Sequence, residues 1–417
     1  MFIILRSFLG LLAFVLIAWL LSENKKMVRI KGILAGLALQ LLLGFVFLHL
    51  PMFKSMFLAL NQIVLSLQEA TTAGTSFVFG YLGGGEPPFE VTNPESSFIL
   101  AFRALPLILL MSALSALLFY WKILPLIVRG FSWILQKTLS LGGAEGLGVA
   151  ANVFMGMVES PLFIRPYLKY VTRSELFSLM TCGMATIAGT VMVLYASILQ
   201  NTIPEVMGHI LTASIISVPA AVTVAKIMIP ETRELTSGKM DIQDQASSSM
   251  DAVTTGTMQG ISLLINIVAM LIVLVALVHL VNEILGLIPL GDERQITLQG
   301  ILGILLTPVV WLMGIPLQEA QTAGALLGTK TILNEFIAYL DLSKLPPGEL
   351  SHRSMLIVTY AMCGFANPGS LGIMIGGMGT MAPERRPEII ALGIRSIVAG
   401  TLATYMTGTV VGIMAAG

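Results

Sequence analysis

Hydrophobic runs long enough to cross a bilayer recur along this chain, at 2–21, 32–50, 98–121, 174–199, 207–229, 260–286, 354–375 and 388–414. A hydrocarbon core about 30 Å thick takes roughly 20 residues of apolar helix, and lipid satisfies no unpaired backbone N–H or C=O. The runs therefore predict an all-α polytopic membrane protein with eight transmembrane helices. Only 11% of the residues are charged, which excludes an ordinary soluble enzyme with a wetted surface. Lys plus Arg equals Asp plus Glu at 23 each, so net charge points to no nucleic-acid partner. The first run is followed by Lys25 and Lys26 with no small-residue cleavage pattern, and reads as a membrane helix, not a cleaved signal.

Between the runs lie stretches too polar or too interrupted to span. Those at 52–67, 125–140 and 297–316 are expected to be interfacial helices, and those at 143–170 and 318–341 re-entrant hairpins. In the second hairpin, Glu335 sits among apolar residues. An ionisable group at membrane depth costs about 2.5–3.5 kcal/mol on insertion scales, so it faces a bundle interior or a cavity. In the first, Gly156 and Pro161 bracket Met157, Val158, Glu159 and Ser160, breaking the helix and freeing backbone groups near a tip. Asn367-Pro368-Gly369-Ser370 similarly interrupts the seventh run. Half-helix ends near the midplane are where secondary transporters hold substrate and coupling ion. Structural alternatives are Glu159 paired with Arg165, Glu335 paired with Lys330, a packing kink at Pro368, and Phe365 as a packing aromatic. His279, alone in an apolar run, reads as a histidine satisfied by helix packing. No two histidines have ligand spacing, and Cys182 and Cys363 are far apart, so no metalloenzyme site is indicated.

The broken segments repeat. Arg173-Ser174 leads through an apolar stretch to Cys182-Gly183-Met184-Ala185, and Arg353-Ser354, 180 residues later, leads to Cys363-Gly364-Phe365-Ala366. A hairpin with one isolated glutamate precedes each, and an odd number of spans separates them, which predicts inverted repeats. Basic residues set the orientation. Lys25, Lys26, Arg29 and Lys31, then Arg165, Lys169 and Arg173, then Lys226, Arg233 and Lys239, then Arg385 and Arg386 all fall on one side if both termini lie outside. The reverse leaves Lys54, Arg103, Arg294, Lys344 and Arg353 inside, a poorer match. The chain then divides into scaffold helices with an interfacial helix at 1–121, a first repeat with its hairpin at 122–229, and a cytoplasmic linker at 230–258. A long scaffold helix at 259–296 and a second repeat with its hairpin and the final helix at 297–417 complete it.

The segments NEFIAYL, CGFANPGSLGIMIGGMGTMAPERR, GMVESPLFIRPYL, IAGTVMVLYA and TSFVFGYLG together resemble the concentrative nucleoside transporter family. The resemblance implies eight membrane helices, two re-entrant hairpins, a homotrimer in the lipid of the inner (plasma) membrane, and inward carriage of nucleosides with sodium ions or protons. It implies that Glu335, Asn367 and Ser370 bind ribose, that Phe365 contacts the base, and that Glu159 hydrogen-bonds on the base side. For Na+ it implies Asn152, the Met155 carbonyl, Thr186 and the Ile187 carbonyl.

One departure concerns the base. The family commonly reads GQTEAPL where this chain has Gly156-Met157-Val158-Glu159-Ser160-Pro161-Leu162, so two polar side chains become Met157 and Val158. An apolar tip is expected to accept purine nucleosides at least as well as uridine, unless these side chains only pack. Sodium coupling is the favoured reading, with proton coupling through Glu159 or Glu335 as the nearest rival. A membrane-embedded hydrolase using the two glutamates lacks any Ser-His or His-Glu-x-x-His pattern to support it.

Overall fold

The computed structural model describes residues 2–90, 99–237, 246–287 and 296–415; Lys239 and Arg294 lie outside them, as does part of the expected linker. In chain order the helices are α1 (Phe2–Leu20), α2 (Ile30–His49), α3 (Pro51–Phe79), α4 (Leu100–Arg103), α5 (Leu107–Tyr120) and α6 (Ile123–Leu139). Next come α7 (Gly143–Ala151), a 3-10 segment (Ser160–Tyr167), α8 (Arg173–Ala185), α9 (Gly189–Leu199), α10 (Val206–Met228) and α11 (Ser249–Gly286). The last are α12 (Leu298–Leu312), α13 (Leu317–Ile332), α14 (Glu335–Ser343), α15 (His352–Met362), α16 (Pro368–Met381) and α17 (Arg386–Met414). No strand occurs among the described residues.

Among the described residues, six stretches are long and apolar enough to cross a membrane: Ile30–His49, Leu100–Tyr120, Arg173–Leu199, Val206–Met228, Ser249–Gly286 and Pro383–Met414. The first expected span appears as the shorter apolar helix Ile4–Leu20. The seventh is not one helix. It divides into α15 and α16 at Cys363–Asn367, because Pro368 has no N–H to offer a preceding turn and Asn367 starts α16 as its cap, its Oδ1 accepting from Ser370 N at 2.8 Å.

Two other boundaries differ from expectation for legible reasons. The helix expected at 52–67 runs on to Phe79, since Gln68–Ser76 contains no proline and its threonines bond back to their own helix, Thr71 Oγ1 to Leu67 O at 2.7 Å. It stops at Gly80, whose φ of +59° suits glycine. The long helix starts at Ser249, inside the segment read as linker, where the Ser248 side chain accepts from Asp251 N at 3.2 Å and Asp251 places a carboxylate in the first turn. His279 is not packed: it stands exposed on α11 with Nε2 3.7 Å from Glu283 Oε1.

The order of elements repeats. α6, α7, the 3-10 segment, α8, a break, α9 and α10 are matched by α12, α13, α14, α15, a break, α16 and α17. α12 turns through 117° into α13. The two breaks abut. A Cβ on Gly364 would lie 2.9 Å from Met184 O, and one on Gly400 of α17 would lie 2.5 Å from Met184 Cβ, so both positions need glycine for this approach. Helices α8, α10, α15 and much of α17 are buried around this point, whereas α11, packed along α5, has 6% of its apolar window buried.

Candidate functional site

Four breaks in helical structure converge. The tip of the first hairpin (Gly156–Glu159), the α8–α9 break (Ala188, Thr190) and the starts of α14 and α16 enclose a cavity of about 410 Å³, closed on its far side by α11. That volume falls in the range of small-molecule sites. Glu335 stands at the first position of α14, where Asn334 caps the helix by accepting from Ile337 N at 2.9 Å. An anion is favoured there by the helix dipole. Asn367, Gly369 and Ser370, at the start of α16, line the same space.

Glu335 is held on both oxygens. Tyr195 Oη donates to Oε1 at 2.7 Å, and Asn367 Nδ2 donates to Oε2 at 3.2 Å. All three side chains are buried, with Glu335 4% exposed. An ionised carboxylate offers about four lone-pair positions. The carboxylate lines the cavity with acceptor capacity beyond these two bonds. The alternative pair with Lys330 does not form, since Lys330 Nζ is buried without a hydrogen-bond partner.

Glu159 is exposed to this space and also borders a smaller adjoining cavity of about 140 Å³. Arg165 turns elsewhere, to a surface pocket with Lys169 and Glu384. Met157 and Val158 line the main cavity, but each is also seated on a glycine. A Cβ on Gly183 would meet Met157 Cβ at 2.8 Å, and one on Gly377 would meet Val158 Cγ1 at 2.6 Å. Phe365 is half-buried along the same wall.

Two of the residues expected to bind a cation, Asn152 and Thr186, end α7 and α8. Asn152 is buried at the end of α7; its Nδ2 donates to Gly148 O at 3.2 Å, and its Oδ1 has no partner. Thr186, at the end of α8, donates Oγ1–H to Cys182 O at 2.8 Å and keeps its lone pairs. Gly189 N donates to Phe154 O at 3.1 Å, tying the hairpin to the α8–α9 break. No cluster of three or more His, Cys, Asp or Glu side chains occurs among the described residues. The donors assembled here are neutral oxygens, suited to a hard monovalent ion.

Comparison with known proteins gives the family. Models for the Na+ dependent nucleoside transporter match at both ends, the N-terminal model over residues 9–82 and the C-terminal model over 209–412, with a nucleoside-recognition Gate model over 101–202. The nucleoside permease NupC of Helicobacter pylori is 34% identical across 98% of this chain and 97% of its own. The chain belongs to the concentrative nucleoside transporter family. Human solute carrier family 28 member 3 is 35% identical over 98% of the chain and 60% of its own length. Among solved structures, the transporter CNTnw in an inward-facing substrate-bound state superimposes with a TM-score of 0.91 at 34% identity, covering 99% of this chain and 97% of that one. The family and its structural neighbours are transporters, not enzymes.

The fold thus brings Glu335, Asn367, Ser370, Phe365, Glu159, Met157 and Val158 to one cavity, and leaves Asn152 and Thr186 outside it at the ends of α7 and α8. Tyr195 escaped the sequence reading. A single tyrosine in an apolar helix looks like packing, and only the rule that its buried hydroxyl needs a partner marks it.

Proposed function

We propose that this family member imports nucleosides by sodium symport and alternating access. The observation that carries the reading is the Glu335 carboxylate, held by Tyr195 and Asn367 in the wall of the cavity that Ser370 also lines. Vicinal ribose hydroxyls supply two donors, and hydrogen bonds to a carboxylate out of water are about twice as strong as neutral ones. Phe365 offers an aromatic face to the base, Glu159 an acceptor on the base side, and Met157 and Val158 an apolar wall.

The sodium assignment rests on the unpartnered, buried Asn152 Oδ1, with the Thr186 hydroxyl and the Met155 and Ile187 carbonyls as co-ligands; a bound cation would supply the missing partner. The repeated element order supports two inverted repeats, 122–229 and 297–417, each with a re-entrant hairpin, moving against a scaffold that contains α5 and α11. The charge distribution supports an eight-span arrangement in the inner (plasma) membrane with both termini outside, and the family resemblance supports a homotrimer. Glu159, a cavity carboxylate without an ion-pair partner, favours proton coupling as the second reading.

Calorimetric titration of the purified protein with uridine and adenosine, with and without sodium, tests the reading. Binding strengthened by sodium at constant pH supports it. Nucleoside binding that depends on pH and ignores sodium selects proton coupling, and absence of binding sinks both.

A further inference from the structure

The hairpin tip offers a base no side-chain donor from Met157 or Val158, which are apolar and lean on Gly183 and Gly377. The opposite wall is different. α11 averages a hydropathy of 3.1 over its apolar window, yet it carries three amides: Asn282 is bonded to Gln299 and Leu298 N, whereas Gln259 and Asn266 border the cavities. Seven residues apart, they stand two turns apart on one helix face. Asn266 lines the main cavity together with Glu335, Asn367 and Ser370. Gln259 lines the adjoining cavity with Glu159, and Leu263, one turn on, borders both. Both amides are exposed, and neither has a hydrogen-bond partner among the described residues. In hydrocarbon an unpaired amide is costly, so two of them on the cavity face of an apolar helix call for a polar ligand.

We propose that Gln259 and Asn266 form a recognition strip that hydrogen-bonds the polar edge of the base, supplying discrimination that the apolar Met157 and Val158 cannot. This rests on the nucleoside reading above. Each amide offers a carbonyl acceptor and an NH2 donor, so it complements a base edge on which keto, amino and ring N–H groups lie side by side. Asn266 reads the base while Glu335 holds the ribose; Gln259, beside Glu159, reads it again as the ligand passes through the smaller cavity.

The test is titration of the full chain and of Asn266→Leu and Gln259→Leu with uridine, inosine and purine riboside, which carries the same sugar without exocyclic groups on its base. Particle mass is measured in parallel by light scattering. Uridine and inosine are expected to bind about tenfold more weakly to Asn266→Leu, the loss of one hydrogen bond, and purine riboside to change less than twofold. Gln259→Leu is expected to slow uridine uptake more than it weakens binding. Should the leucine variant not fold, Asn266→Ala removes the amide without added bulk and carries the same expectation. Unchanged affinities in the variants, an equal loss for all three ligands, or a fall in particle mass, which would make the amides an interface between copies, overturns the strip alone. A parent that binds none of the three overturns the nucleoside reading with it.

Discussion

The Tyr195 hydroxyl and the Glu335 carboxylate meet at 2.7 Å across the cavity floor, joining α9 to α14. Asn367 closes the other side at 3.2 Å. The carboxylate is thereby fixed in orientation before a ligand arrives, so the ordering is not charged against binding.

Glu335→Gln should reduce nucleoside uptake to near background. The amide gives up one charged acceptor position and turns its NH2 toward hydroxyl donors, while Tyr195 and Asn367 keep donating to a group that no longer matches them. The loss should be similar for uridine and adenosine, since both carry ribose. Initial-rate uptake of each checks it; near-parental rates for either would remove Glu335 from the ribose site.

Tyr195→Phe is expected to keep the fold and weaken binding of every ribonucleoside by the same factor, roughly tenfold, as for a lost hydrogen bond to a charged group. A selective loss for one base would place Tyr195 against the base instead. Competition by a panel of nucleosides distinguishes the two.

Asn152→Ala and Thr186→Val should each raise the sodium concentration for half-maximal uptake while leaving selectivity among nucleosides unchanged, because neither side chain borders the main cavity. Thr186→Ser, which keeps the hydroxyl, should restore the parental value. Sodium curves that superimpose on the parent in both variants would move the ion elsewhere.

Far from the cavity, Lys226 Nζ lies 2.9 Å from Oε1 of Glu145, which is fully buried. Lys226→Met strands that carboxylate and should cost about 3–5 kcal/mol, read as a lowered melting temperature, whereas adding Glu145→Gln should recover much of the loss. A double variant no more stable than the single would show that the pair is not the cause.

What could be foreseen follows from how local each signal is. Glu335, Asn367 and Ser370 were legible because a polar residue inside an apolar run violates a rule that a single sequence exposes. Tyr195 obeys the same rule only through a partner 140 residues away, and Glu145 and Lys226 are 81 apart, so nothing in their neighbours announces them. The repeated order of helices and breaks was readable from Arg-Ser and Cys-Gly echoes. The extent of α3 and the start of α11 were not, because helix continuation through Thr, Gln and Ser depends on back-bonding and caps that composition does not reveal. Met157 and Val158 look alike in sequence whether they face a base or a glycine; the close approach of Gly183 and Gly377 appears only in three dimensions.

Accumulation of radiolabelled nucleoside in proteoliposomes, with the sodium and proton gradients imposed separately, tests the central claim most directly. An inward sodium gradient at equal pH should drive uptake above the equilibrium level, and a proton gradient without sodium should not. Accumulation driven by protons alone, or mere equilibration under a sodium gradient, would contradict sodium-coupled import.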